Sequence, residues 1–318
     1  MGVGVSVLRL ACEFYARGYF ADSQAVMDMG AQTLHGEVKD ILAVVDSYGL
    51  KLDSLALSAD RRASVLWKSF GFKKADRIDI LNELDAIFVD LNEPLTRKEL
   101  ASKYDLVTDF GNNEHPFNVA EAYRTMHRMC KPSGKLWVVQ SLIGGNGFYN
   151  FDPSFFESLA AVNGYKILHC CLVVSTPSGD QLMLPMSMEL LDMLQLRASS
   201  EISLSYVFER DPLQDKDFVF PLQSTYRFRD VSEHASTADG QRQELGSRSA
   251  EMNQYGSSAY HQILIPEMTH LGITPSRAYV PVPEDIVQQM VRIEMGSQAI
   301  KVLKNKIFEK LRIFRRST

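Results

Sequence analysis

Four short apolar segments, each ending in an acidic or polar turn, restrict the folds that this chain can adopt. The segments are AVMDMG (25–30), ADRIDI (75–80), AIFVDLN (86–92) and YDLVTDFG (104–111). Their apolar residues are continuous and do not alternate with polar ones, which is typical of strands buried on both faces in a parallel sheet. Amphipathic helical patterns lie around them, as in GEVKDILAVVDSYG (36–49) and NVAEAYRTMHRM (118–129). Strands that alternate with helices predict a doubly wound α/β fold.

Later segments predict an antiparallel strand at the edge of this sheet. YKILHCCLVVS (165–175) and QLMLPM (181–186) are separated by TPSGD, which favours a hairpin. GKLWVVQSL (134–142) and SLSYVFER (203–210) are further strand candidates. We expect a Rossmann-type domain at 1–230, a linker at 231–260 that has little to bury, and a helical extension at 261–318.

Composition narrows the class of protein. The formal net charge of −5 argues against nucleic acid as the main partner. No apolar run approaches the roughly 18 to 20 residues that span a bilayer, and the N-terminal stretch lacks the features of a cleaved signal peptide. The four cysteines show no C-x-x-C spacing. We therefore expect reduced thiols, no metal site and a cytoplasmic location.

The C-terminal segment KVLKNKIFEKLRIFRRST (301–318) combines an apolar stripe with many basic residues. Such a helix can lie on an anionic membrane surface, which would place the protein peripherally at the inner membrane face. The other interpretation is a helix docked on the sheet or on a second subunit, with its basic face in solvent. Both interpretations stay open.

The polar ends of the predicted strands indicate where a ligand binds. In open α/β sheets, ligands lie beyond the carboxyl ends of the strands, where the strand order reverses. Gly30 after the first strand allows a close backbone approach. Asp79 after the second can accept two hydrogen bonds from a ribose diol. Together these features favour a nucleotide-like ligand.

From Leu8 to about Arg227 the chain resembles the class I S-adenosylmethionine-dependent methyltransferases, specifically a bacterial branch often found among polysaccharide and glycan genes. The motifs, in order, are VMDMGAQTLH, WKSFGF leading to RIDI, VDLNEPL, YDLVTDFGNNEHPFN, MHRMCKPSGKLW, GNGFYNFDPSFFESLAAVNGY and FPLQSTY. The resemblance implies a mostly parallel seven-stranded sheet with an antiparallel edge strand. It also implies S-adenosyl-L-methionine as cofactor and methylation of an oxygen on a sugar, a glycan precursor or another small hydroxylated metabolite.

The resemblance assigns cofactor contacts to the first two strand ends. Gly30, Ala31 and Gln32 would lie against the methionine part of the cofactor. Asp79 would bind the ribose hydroxyls, and Asp28 would hold the loop through backbone amides.

The next two strand ends complete the cofactor site that the resemblance implies. Asp90 and Leu91 would border the adenine. Asp109, Phe110 and Gly111 would face both the transferable methyl group and the acceptor.

Four residues are candidates for acceptor chemistry. A hydroxyl acceptor must lose its proton, and His115 or Glu114 would assist as general base. In the structural alternative, Glu114 caps the next helix and His115 bonds a backbone carbonyl. Asn146 and Tyr149 in GNGFYN would hydrogen-bond the acceptor, or that segment is only a glycine turn.

Two departures from the family pattern leave other readings open. The usual glycine-rich signature is reduced to one glycine in DMGAQ, which motivates a catalytically inactive scaffold or binding protein. Asp79 lies farther from Asp28 than the roughly 20 residues usual between such positions. Asp46 fits that spacing better, but its segment has helical periodicity, so we favour Asp79. A nicotinamide-dependent enzyme is disfavoured because G-x-G-x-x-G is missing.

Overall fold

A computed structural model describes residues 2–81, 84–175, 181–186, 201–212 and 217–222. The predicted linker at 231–260 and the basic C-terminal extension at 261–318 lie outside these residues. Within them, no helix has the length and hydropathy of a membrane span. The interpretations of the C-terminal segment therefore stay predictions.

The main sheet contains eight strands. In spatial order they are β5 (Ile87–Phe88), β4 (Lys74–Asp79), β2 (Ala25–Met29), β6 (Tyr104–Phe110), β7 (Cys130–Ile143), β10 (Ile202–Glu209), β8 (Lys166–Ser175) and β9 (Gln181–Pro185). Two shorter strands, β1 (Gly2–Val3) and β3 (Thr33–Leu34), form a separate parallel pair.

The strand directions confirm the predicted mostly parallel sheet with an antiparallel edge. Strands β5, β4, β2, β6 and β7 are parallel to one another. The hairpin partner β9 lies at the edge and pairs antiparallel with β8. The sheet has one strand more than the expected seven. Strand β10 was expected as a strand, but it inserts between β7 and β8, antiparallel to both.

Helices cover both faces of the sheet, as a doubly wound fold requires. They are α1 (Val5–Ala16), α2 (Val38–Ser47), α3 (Ser54–Ala59), α4 (Ser64–Ser69), α5 (Val119–Met129) and α6 (Pro153–Asn163). One buried apolar cluster joins α5 and α6 to the sheet, with Met126 and Phe156 among its members. The other joins α1, α2, α3 and α4 to the opposite face, around Leu10 and Trp67.

Local signals set the helix ends. Asp152 accepts a hydrogen bond from the backbone N of Ser154 at 2.8 Å and caps α6, whose first residue is Pro153. Gly164 ends that helix in the left-handed conformation, with φ of 66°. The N-cap of α5 is Asn118.

The sheet reverses direction between β2 and β6. From β2 the chain adds β4 and then β5 on one side, and it then crosses back to add β6 and β7 on the other. This is the position at which a crevice opens beyond the carboxyl ends of the strands. Asp109 pairs in register with Met29, the last residue of β2, so Gly30 and Gly111 flank the crevice.

All four cysteines are buried, free thiols, in agreement with the sequence. Burial raises the pKa of Cys12 and of Cys171 to about 12. These thiols are therefore protonated at neutral pH and unreactive.

The insertion of β10 can be tested through one buried hydrogen bond. The indole N–H of Trp137 on β7 donates to Ser205 Oγ on β10 at 3.1 Å, and both residues are buried. We expect Ser205→Ala to lower the free energy of unfolding by ~1 to 3 kcal/mol, because the indole N–H loses its acceptor. Chemical denaturation measures the change.

Ser203→Ala on the same strand is the matched control, because Ser203 is only half-buried. It should change stability by less than ~0.5 kcal/mol. Equal effects of the two substitutions would contradict the central position of β10.

Candidate active site

The turn after β2 brings two loops into close contact. Gly30 has φ of 84° and donates its backbone N–H to Ile78 O at 2.9 Å. A Cβ at this position would lie 2.8 Å from Oδ1 of Asn112, which follows β6. The single glycine of the first motif is thus required by its conformation, and a Cβ there would also displace the Asn112 side chain.

Asp79 holds the β2 turn against the end of β4. One carboxylate oxygen accepts the backbone N–H of Ala31 at 2.8 Å, and the other accepts that of Leu81 at 2.9 Å. Asp79 is half-buried, so its oxygens can accept further hydrogen bonds from a ligand. Asp46, which was the alternative, lies on α2 and forms an exposed ion pair with Lys51.

Asp28 differs from its predicted role. Its carboxylate accepts hydrogen bonds from the Trp67 indole at 3.0 Å and the Thr108 hydroxyl at 2.6 Å. It therefore binds two side chains and not the backbone amides of the loop. Burial raises its pKa to about 6, against the effect of these two donors. Asp28 joins α4 and β6 to β2.

Gln32 points its side chain into the protein. Its amide nitrogen donates to Met29 O at 3.2 Å, and its buried Oε1 has no partner among the described residues. A buried acceptor without a donor is costly, so this atom is suited to receive a ligand N–H.

The end of β5 is tied to the start of α5. Asp90 accepts both the backbone and the side-chain N–H groups of Asn92 at 2.9 Å. Asn92 in turn accepts the backbone N–H of Asn118 at 2.9 Å. Leu91 is buried in the core under α5, so only its backbone is available to border a ligand.

Asp109 is completely buried at the end of β6. One oxygen accepts the backbone N–H groups of Asn112 and Asn113 at 3.0 and 3.2 Å. The other accepts the Gln140 side-chain amide from β7. Burial raises the pKa of Asp109 to about 7 although these donors oppose the shift, and the charge of Glu114 adds to the increase.

The two residues that follow Asp109 have different contacts. Gly111 forms a backbone hydrogen bond, and Phe110 packs in the core on the opposite face of the sheet. Gly111 has φ of 76° and donates its N–H to Val139 O at 2.7 Å. The Phe110 ring lies edge-on against Trp137, with centroids 4.9 Å apart, in the core beneath α1. Its side chain is therefore on the face away from Asp109.

Glu114 is buried and bonded to the neighbouring strand. Its carboxylate accepts the backbone N–H of Ser141 at 3.1 Å. It does not cap α5, because Asn118 has that position. The structural alternative for Glu114 is thus wrong, and the carboxylate lies between the ends of β6 and β7.

His115 is the accessible member of the pair. Its side chain is 38% exposed, and Nε2 lies 3.8 Å from the Glu114 carboxylate. An imidazole that contacts solvent on one side and a buried carboxylate on the other can accept a proton from a ligand hydroxyl.

The loop after β7 is fastened to the loop that carries Glu114. Phe148 and Tyr149 donate their backbone N–H groups to Glu114 O at 2.8 and 3.3 Å. The Tyr149 hydroxyl donates to Phe117 O at 2.6 Å. A Cβ on Gly147 would lie 2.5 Å from Glu114 O, so only glycine fits there. We name these contacts the loop latch.

An aromatic pair lies at the tips of the two latched loops. Phe117 and Phe148 are 77% and 73% exposed, with ring centroids 6.3 Å apart. Asn146, two residues before Phe148 in the sequence, is also exposed. The two rings form a small exposed apolar surface, the kind of feature that can contact a ligand.

Several residues of the site were not predicted from the sequence. Gln140, Tyr123 and Asn113 surround Asp109, and Phe117 forms half of the aromatic pair. Gln140 had one available signal, because it is a polar residue inside the apolar run LWVVQSL. No cluster of metal-ligating residues exists in the part of the chain that the structure describes.

The residues present fit a cofactor with a diol and an amino-acid portion. Asp79 can accept from a diol, and Gln32 offers a buried acceptor without a donor, while the Asn112 side chain lies against Gly30. His115 and the aromatic pair lie on the loops after β6 and β7.

Comparisons with known proteins give distant likenesses. No family model and no curated protein matches the chain. A SAM-dependent methyltransferase from Archaeoglobus fulgidus has 10% identity and a TM-score of 0.35, with 65% of this chain and 94% of that chain covered.

Two further solved structures are similarly distant. A Burkholderia thailandensis 1,6-didemethyltoxoflavin-N1-methyltransferase with bound S-adenosylhomocysteine has 9% identity and a TM-score of 0.31, covering 64% of this chain and 78% of its own. The [4+2]-cyclase SpnF has 14% identity and a TM-score of 0.34, covering 64% and 80%. Likenesses of this strength carry no argument about ligand or reaction.

Adding a methyl group at Gly30 should destabilise the protein for two separate reasons. Gly30→Ala must strain a left-handed backbone and displace Asn112. The backbone strain alone costs ~1 to 3 kcal/mol. We expect Gly30→Ala to lower the free energy of unfolding by more than this strain, because Asn112 must also move. Chemical denaturation monitored by tryptophan fluorescence measures the loss.

Gly18→Ala is the control, because Gly18 has φ of 76° but nothing within 4 Å of the added Cβ. It isolates the backbone strain from the contact with Asn112. If Gly18→Ala were as destabilising as Gly30→Ala, the contact between the two loops would be unimportant.

Proposed function

We propose that this chain is an S-adenosylmethionine-dependent methyltransferase that methylates an oxygen of a sugar, a glycan precursor or another small hydroxylated metabolite. The observation that carries the proposal is the joining of the β2 turn to Asp79 at the point where the strand order reverses. That arrangement supports a site in which the Gly30 turn and the Asp79 carboxylate would contact the same ligand.

The cofactor would be held by residues of three strand ends. Asp79 would accept the ribose hydroxyls, the Gly30 turn would contact the methionine portion, and Asp90 and Leu91 would border the adenine. When bound, the cofactor supplies an electrophilic methyl group on a sulfonium. The Gln32 acceptor without a partner supports a polar group at this position.

The acceptor side is supported by the aromatic pair and its polar neighbours. Phe117 and Phe148 present apolar ring surface, while His115 and Asn146 are polar residues two positions before each ring in the sequence. An amphipathic ring, such as a pyranose, matches that mixture. The Tyr149 hydroxyl already donates to Phe117 O, so towards an acceptor it would serve as a hydrogen-bond acceptor.

His115 is the proposed general base. It would take the proton of the acceptor hydroxyl on its exposed face, while Glu114 on its other side stabilises the imidazolium that forms. Glu114 can do this because Ser141 N–H and the loop latch fix its position. The two residues thus have different roles: His115 moves the proton and Glu114 orients and stabilises it.

A catalytically inactive binding or scaffold protein is the second candidate. The first motif keeps only one of the usual glycines, and Gln32 fills space inside the protein. A scaffold would keep the fold and lose affinity for the cofactor, so cofactor binding separates the two candidates.

Calorimetric titration with S-adenosylhomocysteine tests the cofactor assignment. We expect binding to the wild-type chain, and at least tenfold weaker binding to Asp79→Ala, because two hydrogen bonds to a charged group are lost, each worth ~1.5 to 3 kcal/mol. Absence of binding to the wild type at high micromolar ligand would favour the scaffold.

Asp46→Ala is the matched control for this titration. Asp46 is an acidic residue on α2 whose side chain is engaged with Lys51 in solvent. Its removal should leave the affinity unchanged within about twofold, since surface ion pairs contribute only ~0 to 1 kcal/mol.

The proposed base predicts a separation of binding from turnover. With an accepted hydroxyl substrate, His115→Ala should lower kcat by ~10²- to 10⁴-fold while leaving S-adenosylhomocysteine affinity nearly unchanged. Glu114→Gln, which keeps an oxygen for Ser141 N–H, should lower kcat less. Unchanged turnover in both variants would exclude the assignment.

A further inference from the structure

The side chain of Asn112 fills the space next to Gly30. Gly30 directly follows β2 and Asn112 lies on the loop after β6, and these two strands are neighbours in the sheet. A Cβ built on Gly30 would lie 2.8 Å from Asn112 Oδ1 and 3.2 Å from Asn112 Cγ, and real Cβ atoms essentially never have contacts under 3.0 Å. The side of Gly30 on which a side chain would project is therefore already occupied.

The same crowding applies to a ligand that approaches Gly30 from this side. A ligand atom in van der Waals contact with the Gly30 Cα lies roughly 3.5 to 4 Å from it, beyond the position of a Cβ. The Asn112 amide and such an atom would need the same space. A ligand can therefore contact this side of the turn only after the Asn112 side chain has moved.

Only packing holds the Asn112 side chain in this position. Its amide group forms no hydrogen bond with a residue that the structure describes, and the residue is half-buried. The hydrogen bonds of Asn112 come from its main chain. Its N–H donates to the Asp109 carboxylate at 3.0 Å, and its carbonyl oxygen accepts the N–H of His115 at 3.1 Å. A rotation of the side chain thus breaks none of the bonds that fix the loop.

A second side chain at the turn points to a ligand. Gln32 lies two residues after Gly30, and its side-chain nitrogen donates to Met29 O at 3.2 Å. The buried Oε1 of the same amide accepts no hydrogen bond from any described residue. A buried acceptor without a donor is costly, which favours a ligand donor at this turn.

We infer that the Asn112 side chain blocks the Gly30 turn of the free protein and must rotate away before S-adenosylmethionine or S-adenosylhomocysteine binds there. The inference rests on the proposed function, because it takes the Gly30 turn as the contact of the methionine portion. It adds a conformational step to that site. Only molecules in which Asn112 has rotated accept the ligand, and the observed affinity is lowered by that fraction.

Asn112→Ala tests the block directly, because alanine keeps both main-chain hydrogen bonds and removes the crowding atoms. The remaining Cβ of residue 112 lies 3.5 Å from the position of a Gly30 Cβ, which is ordinary van der Waals contact. In calorimetric titrations of the full chain with S-adenosylhomocysteine, we expect Asn112→Ala to bind about three- to tenfold more tightly than the wild type.

Asn112→Leu is the control matched in size. Leucine has the branched shape of asparagine but cannot form a hydrogen bond through its side chain. If Asn112 acts by filling space, Asn112→Leu should bind S-adenosylhomocysteine no more tightly than the wild type. If Asn112 instead hydrogen-bonds the ligand, both substitutions should weaken binding, and the inference is wrong.

A double-mutant cycle tests the contact without any ligand. Gly30→Ala should lower the midpoint of chemical denaturation less in an Asn112→Ala background than in the wild type, because the added methyl group then meets no crowding atom. Equal shifts in the two backgrounds would show that the Asn112 side chain does not crowd Gly30, and the inference would be wrong.

The titrations separate the inference from the proposed function. If the wild type and Asn112→Ala bind S-adenosylhomocysteine equally well, the inference is wrong and the cofactor assignment stands. If neither protein binds at high micromolar ligand, the proposed function fails and the inference fails with it. Tighter binding by Asn112→Ala, without a gain in Asn112→Leu, supports both.

Discussion

The buried carboxyl of Asp109 is the interaction on which the crevice depends. It accepts backbone N–H groups of Asn112 and Asn113 and the side-chain amide of Gln140, and so fixes the loop after β6 to the neighbouring strand. That loop brings Asn112 against Gly30. The β2 turn, in turn, is held by Asp79. Three strand ends are thereby set relative to one another by hydrogen bonds whose buried groups exclude competing water.

Much of this arrangement could be predicted because its signals are local. Continuous apolar runs located the strands, and the polar residues that end them lie, as predicted, at the carboxyl ends of the parallel strands. The position of β10 could not be predicted, because an apolar strand has the same sequence whichever neighbours it pairs with. The prediction for Asp28 was wrong in detail for a related reason. Alternation along β2 separates Asp28 from Met29, but nothing in the sequence shows that Trp67 and Thr108 occupy its face.

The reduced glycine motif has a structural explanation. Only one position of the β2 turn combines positive φ with a close neighbour, and that position is Gly30. Ala31 does not have to be a glycine, because it contributes to the turn through its backbone N–H, which donates to Asp79. Gln32 packs inside the protein, where a glycine would leave a cavity. Loss of glycines from a motif therefore need not mean loss of the turn that the motif builds.

The loop latch joins the two aromatic tips to the position of Glu114. Glu114 O is held by two backbone N–H groups of the loop after β7, while the Glu114 carboxylate is bonded to the strand that leads into the same loop. A movement that separates these two loops must therefore break bonds made by Glu114 itself. In the proposed enzyme the residue beside the base is in position only when the two aromatic tips are together. Separation of the aromatic tips and displacement of the residue beside the base would then be a single event.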